Sequence, residues 1–269
     1  MKEFKFIPEG WNNEQKQISN INMAKQYIDT KETLQGIVDE CDQNGNLYIK
    51  FENNIKGIIP KDEIENVKPG KNSEKTFCYN KVHKYVQFKV KGIENEDILI
   101  LSRKEVQKEV VNSIKNDLKV GEQITGIVNN IKPYGAFIEI GGGVVGLVHI
   151  EDLSVARIKT PYERLKIGQK INVMVKSIDK QEGKVTLSYK ETLGTWEENA
   201  KKFTAGMNVE GIVRETEKNK NGIFIELTPN LVGMVEYTEG LEYGQRVNVH
   251  IKKIDEQKKK VKLILQNKW

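Results

Sequence analysis

One short motif occurs three times along the chain, and it limits the fold more than any other feature. Gly36-Ile37-Val38, Gly126-Ile127-Val128 and Gly211-Ile212-Val213 each open a segment. About twenty residues later each segment has a second glycine step: Gly57-Ile58-Ile59, Gly146-Leu147-Val148 and Gly233-Met234-Val235. Each then closes on an aliphatic strand: Leu99-Ile100-Leu101, Val185-Thr186-Leu187 and Val261-Lys262-Leu263. Self-similarity at a regular spacing means one small module used repeatedly, and it must be settled before any single element is read.

The modules read as strands. In the middle copy, strands are expected over Gln123 to Ile131, Gly135 to Ile140, Val144 to Ile150, Ile171 to Asp179 and Lys184 to Tyr189, with an irregular connection from Glu151 to Gly168. Five short strands with one longer connection suit a small Greek-key barrel of the oligonucleotide-binding type. In the first copy Leu47, Ile49 and Phe51 alternate with Tyr48 and Lys50, and Val86, Phe88 and Val90 form another alternating strand. The expected fold is all-β: three tandem five-stranded OB-fold barrels joined by short α-helical linkers.

The expected boundaries are a polar extension at 1–30, a first module at 31–103, a linker at 104–118, a second module at 119–190, a linker at 191–203 and a shortened third module at 204–269. A short helix is expected from Glu14 to Tyr27. Ser102 with Glu105 and Thr195 with Glu198 read as capping boxes opening the two linkers. Val106, Val110, Ile114 and Leu118 recur every fourth residue and give the first linker one apolar stripe. That helix is expected to pack on module one, pack on module two, or link them freely. The third module's connection, Glu236 to Tyr243, is shorter than in the other copies.

Composition removes several classes. No apolar run is long enough to span a bilayer, and the N-terminus lacks the apolar core of a signal peptide, so no membrane is expected as a partner. Two cysteines, Cys41 and Cys78, support neither a disulfide scaffold nor a zinc site, and a reducing cytoplasm is the expected setting. The net charge of +5 permits a polyanionic partner without requiring one. The basic run Lys258-Lys259-Lys260 near the C-terminus reads equally as a solvated hairpin turn or as a phosphate contact. Gly141-Gly142-Gly143 reads as a hairpin turn, because no Lys-Ser/Thr follows it. The three histidines lack metal-ligand spacing, and no nucleophile or acid–base pair is discernible, so neither a metal, a cofactor nor an enzymatic activity is expected.

The middle copy carries the candidate chemistry. Side chains alternate along Gly135-Ala136-Phe137-Ile138-Glu139-Ile140, so Ala136, Ile138 and Ile140 share one face and Phe137 and Glu139 the other. A charged neighbour marks the second face as the solvent side, which exposes Phe137. An exposed ring on a barrel strand suits a stacking platform for unpaired bases, worth about 1–3 kcal/mol per base. Tyr134 adds a second ring at the turn, and His149 closes the next strand. Alone, His149 reads as an incidental surface residue, while Phe137 reads as an exposed ring sooner than as one tucked under a loop; together in one repeat they read as a nucleotide face.

Gly126 to Ser188 resembles the RNA-binding repeat of the ribosomal protein S-one family. The shared pattern is the glycine-aliphatic-valine strand, Tyr134-Gly135-Ala136-Phe137-Ile138, Gly146-Leu147-Val148-His149-Ile150, Ile167-Gly168-Gln169, and Ile178-Asp179 followed by Leu187-Ser188. The resemblance implies that Tyr134, Phe137, His149, Asp179 and Lys184 contact RNA, with Asp179 accepting hydrogen bonds from a base or ordering Lys184, and Lys184 meeting the backbone. In module three it keeps Phe224, Asp255 and Lys260, while Asn221 and Glu236 replace the tyrosine and histidine, implying weaker contact. In module one only Tyr48 remains, with Gly45, Pro60 and Glu94 at the other places. Degenerate leading repeats of the family contact the ribosome or other proteins. The implied role is therefore binding of single-stranded RNA, most plausibly mRNA in translation, with small-subunit docking through the first repeat. The competing reading is a ribosome-independent regulator of translation or RNA decay.

Overall fold

The computed structural model describes residues 4–12, 14–66, 78–95, 97–215 and 222–268. After helix α1 (Ile21–Thr30), module one contributes β1 (Leu34–Ile37), β2 (Glu40–Cys41), β3 (Leu47–Lys50), β4 (Lys56–Ile59), β5 (Tyr85–Asn95) and β6 (Ile98–Ser102). Helix α2 (Arg103–Asn116) leads into β7 (Gln123–Lys132), β8 (Gly135–Gly141), β9 (Val144–His149), β10 (Lys170–Asp179) and β11 (Lys184–Ser188). Helix α3 (Trp196–Ala200) precedes β12 (Asn208–Glu215), β13 (Ile223–Thr228), β14 (Leu231–Val235), β15 (Arg246–Asp255) and β16 (Lys260–Lys268). Modules two and three are closed barrels, ordered β10-β11-β9-β8-β7 and β12-β13-β14-β16-β15. In each, one parallel pair, β9 with β11 and β14 with β16, sits among antiparallel neighbours.

Module one departs from the expected five-stranded barrel. Its six-stranded sheet runs β1-β5-β6-β4-β3-β2, an open sheet whose two edges are consecutive in the chain. The first strand is broken at Val38 and Asp39, whose amides bond Lys84 on one side and Tyr48 on the other. One interrupted strand thus serves both edges of a curled half-barrel.

The repeated glycines have a packing cause. A Cβ at Gly126 would stand 2.2 Å from Ile138, and one at Gly211 would stand 2.3 Å from Ile225. The second glycines are equally constrained: Gly57 against Leu101, Gly146 against Leu187 and Gly233 against Leu263. The motif survives because the strands coil tightly over aliphatic side chains and leave no room for a side chain there.

The first linker is not a free tether. Val106, Val110, Ile114 and Leu118 are buried in module two's core. Each such burial contributes about 1.5–3 kcal/mol, which settles the helix on the second barrel. Ser102 Oγ accepts from Glu105 N at 3.1 Å and itself donates to Glu63, so the cap is made on one side and tied to module one on the other. Thr195 and Glu198 form the full reciprocal box expected for α3.

The N-terminal segment differs from expectation. No helix covers Glu14 to Tyr27; it begins at Ile21, because the Asn20 side chain accepts from Met23 N at 2.9 Å and caps it there. Residues before it lie along β1, with Gln35 Nε2 donating to the carbonyls of Asn12 and Glu14. Further upstream, Phe4 enters module two's core beside Val106, and Glu9 N donates to Glu139 Oε2 at 2.8 Å. The segment is a strap that crosses module one to reach module two.

Candidate nucleic-acid interface

Strand register builds the face of module two. Across β8 and β9, Gly135 pairs with His149 and Phe137 with Leu147; across β9 and β11, Leu147 pairs with Thr186; across β10 and β11, Asp179 pairs with Lys184. Cross-strand partners share a face. Phe137, Leu147, His149, Thr186, Lys184 and Asp179 therefore line one outer surface, while Ala136, Ile138 and Ile140 fill the core at 0% exposure.

Two rings sit at the centre of that surface. Tyr134 is half exposed, and its ring centroid lies 6.2 Å from that of Phe137 with the planes at 84°. This edge-to-face pair holds both rings in place, with Phe137 half-buried. Ile150 N donates to the Tyr134 carbonyl at 2.9 Å, which brings the end of β9, and so His149, beside Tyr134. The following segment is anchored by buried Asp152, whose carboxylate receives Lys176 Nζ at 2.7 and 2.8 Å and Lys190 Nζ at 3.0 Å. Burial opposes ionisation of Asp152, but the two lysines hold its carboxyl below the usual range. His149 Nδ1 stands 3.8 Å from Glu151, with the imidazole 44% exposed.

Asp179 and Lys184 lie together on the strands but do not pair in the way considered. Asp179 Oδ1 accepts from Gln181 N at 2.9 Å and Glu182 N at 3.0 Å, and those backbone donors lower its pKa. Asp179 thus orders the β10–β11 turn, and Glu182 is the ion-pair partner of the highly exposed Lys184. Module three repeats the arrangement: Asp255 pairs with Lys260 across β15 and β16, and its Oδ1 accepts from Lys258 N at 3.0 Å. The basic run is therefore a hairpin turn, with Lys259 on Glu197 of α3 at 2.8 Å.

Phe224 keeps the strand position of Phe137 but not its surroundings. It lies half-buried at the junction with module two, beside Val155 and Arg157. Asn221, at the place of Tyr134, lies outside the described residues. In module one, the Tyr48 hydroxyl donates to Asp42 at 3.1 Å inside the Asp42–Asn46 turn, so the ring is fastened from one edge.

The reading of Glu139 as a solvent marker is corrected. Glu139 is buried, as is Glu226 at the same position of module three, at 6% exposure each. The Glu139 carboxylate is covered by the N-terminal strap and a turn of its own module, and that of Glu226 by one arginine of the preceding module and one of its own. Glu139 Oε1 accepts from Gly141 N and Gly143 N, and Oε2 accepts from Glu9 N of the strap. Burial and the neighbouring Glu9 carboxylate push its pKa up to about 8. Glu226 instead receives Arg164 Nη2 at 2.6 Å and Arg214 Nε. Phe137, two residues before Glu139, is half-buried and not the exposed ring expected from a solvent face. The outer side of each second strand thus divides into an aromatic half and a docking half.

The docking residues are what a single-sequence reading misses. Arg103 is 1% exposed and bonds Glu9 through Nε at 2.7 Å and Nη2 at 2.8 Å, and Ile64 O through Nη1 at 3.1 Å. The charge and hydrogen bonds of Arg103 hold Glu9 below its usual range although the surroundings oppose its ionisation. The signal was present in the repeat: a carboxylate recurs at one strand position in two copies, between core residues.

This geometry agrees with relationships to known proteins. Residues 117–190 match the family model of the S1 RNA binding domain. The chain is 38% identical over 199 residues to small ribosomal subunit protein bS1 of Staphylococcus aureus, covering 67% of this chain and 50% of that protein. It is 36% identical over 198 residues to the bS1 of Staphylococcus epidermidis, with the same coverage. The chain spans about half the length of these curated relatives. Among solved structures, GSP13 from Bacillus subtilis matches 29% of this chain and 61% of its own at 33% identity, with a TM-score of 0.28. A multidomain protein with nucleic acid binding domains from Streptococcus pneumoniae covers 88% of this chain and 73% of its own at 15% identity, with a TM-score of 0.27. Residues 117–190 are an S1 RNA binding domain, and the chain is a homologue of the bacterial small ribosomal subunit protein bS1.

Proposed function

We propose that the chain binds single-stranded RNA, and mRNA in particular, during translation at the small ribosomal subunit in the cytoplasm. The observation that carries this reading is the edge-to-face Tyr134–Phe137 pair near His149, on the domain that matches the RNA-binding family. Bases stack on the two rings, His149 braces the strand, and Lys184 neutralises backbone phosphate. Asp179 and Asp255 hold the corresponding turns, and Lys260, placed as Lys184 is, meets phosphate in module three. Sequence preference is slight, since every base has a π-face. Module one, with a broken first strand and a fastened Tyr48, docks on the ribosome and is not a principal RNA face. The protein acts by binding RNA.

Fluorescence-anisotropy titration of a short unstructured RNA with wild type and Phe137→Ala, at two salt concentrations, tests the reading. Loss of affinity in the mutant at both salts supports it. Equal binding that vanishes with salt would reduce the protein to a nonspecific polycation. Sedimentation with small subunits separates ribosomal action from the alternative, a free regulator of translation or RNA decay.

A further inference from the structure

Modules two and three meet through a dense set of bonds. Ala156 N donates to Pro229 O at 2.9 Å, and Asn230 Nδ2 donates to the Lys190 and Gly194 carbonyls at 2.6 and 2.8 Å. Val155 N donates to Asn230 Oδ1 at 3.3 Å, which fixes the loop that carries Val155 and Arg157. On the far side Arg164 holds Glu226, Arg214 holds Glu163, and Lys159 N donates to the Tyr243 hydroxyl at 2.9 Å. These contacts leave a cavity of about 280 Å³ between the barrels, lined by Val155, Arg157, Arg214, Phe224 and Val232.

The lining is that of a stacking slot. Phe224 forms one wall from β13, and Val155 of the preceding module contributes an aliphatic wall. Val155 is 57% exposed, an aliphatic side chain with little to gain from its position on a surface loop. Two guanidinium groups border the opening, one of them anchored in the junction by Glu226 and Glu163. Arginine beside an aromatic favours a nucleobase in two ways, by stacking on the base and by meeting its phosphate. The volume is close to the lower end of small-ligand sites, about 300 Å³, and admits a flat base.

We infer that Phe224 and the Val155–Arg157 loop form a composite nucleobase slot, so that RNA leaving the second barrel is gripped by a site that neither barrel makes alone. The inference rests on the RNA-binding reading above. It places the third barrel's aromatic in a shared cleft, where a separate face of its own was expected.

The test uses the full chain and two oligouridylates, of about four and about twenty-five nucleotides, at the lower limit of a single-barrel site of about 4–16 nucleotides and beyond its upper one. Anisotropy titrations compare wild type with Val155→Glu, Arg157→Ala and Phe137→Ala. Ile167→Glu, another exposed aliphatic outside the slot, controls for added charge. The expected result is a five- to twentyfold loss for Val155→Glu on the longer RNA, a smaller loss for Arg157→Ala, and wild-type binding of both variants to the shorter one. Phe137→Ala should lose affinity for both lengths. If the two loop variants match wild type on the longer RNA while Phe137→Ala is impaired, the slot is overturned and the stacking face stands. If the loop variants are impaired and Phe137→Ala is not, the slot stands and the proposed face of module two falls. If Ile167→Glu weakens binding as much as Val155→Glu, the effect is charge alone and the slot is overturned. Absence of RNA binding in wild type overturns both.

Discussion

Phe137 and Phe224 occupy the same strand position in consecutive barrels, and each has a buried carboxylate two residues on. What differs is the module that covers them. Glu139 is met by a backbone strap and a glycine turn, and Phe137, half-buried on the same face, packs edge to face with Tyr134. Glu226 is met by two arginines, one of them from the preceding barrel, and the same loop system reaches Phe224. One strand pattern therefore sets a half-buried ring beside Tyr134 in one copy and at a cleft between modules in the next.

The comparison breaks most strongly at the arginines. Arg103→Ala leaves Glu9 buried without its partner and is expected to cost about 3–5 kcal/mol, read as a lowered denaturation midpoint. Arg214→Ala should cost less, because Arg164 still holds Glu226. Equal losses would mean that the two junctions are energetically alike. Next is pH. Native Glu139 retains its proton up to about pH 8, whereas an ordinary glutamate releases it near 4.5. Between those values the native state binds more protons than the unfolded one, so stability falls as pH rises, with a slope approaching about 1.4 kcal/mol per pH unit. Thermal unfolding from pH 5 to 8 measures the slope, and Glu139→Gln should flatten it. A slope that survives the substitution belongs to another group.

At the rings, Phe137→Ala should weaken RNA binding about five- to hundredfold, from 1–3 kcal/mol per stack, with little change in salt dependence. Phe224→Ala should matter only for RNA long enough to span the junction. The smallest effect is on phosphate: Lys184→Ala should lower the slope of log affinity against log salt by about 0.7, the value for one single-strand contact. Identical salt behaviour of the Phe137 and Lys184 variants would end the division of labour between rings and lysine.

Much of the scaffold was legible because its causes are local. The repeated glycines, the strands of the second barrel and the box at Thr195 each follow from spacing and from neighbours a few residues away. The stripe on α2 was equally visible, but its partner was not, since periodicity says that a face is buried and not against what. Glu139 failed for a related reason: alternation gave its face correctly, and a charge on that face was equated with solvent. Its cover comes from Glu9, distant in sequence and near only in the folded chain. That the candidate residues of module two share one face was readable because one repeat keeps them together. The cleft at Phe224 was not, because half of it belongs to another module.

The strap also sets an order of events during synthesis. Residues 4–9 complete their contacts only with Val106, Glu139 and the turn after it, 130 positions downstream of Glu9. At about 5–20 residues per second the ribosome takes on the order of ten seconds to supply that landing site. Through that interval the nascent first module must wait with Phe4 undocked and Glu9 without its acceptor for the strap amide. Slow codons placed before Glu139 should prolong a protease-sensitive nascent state, and the same delay placed after module two should leave it unchanged.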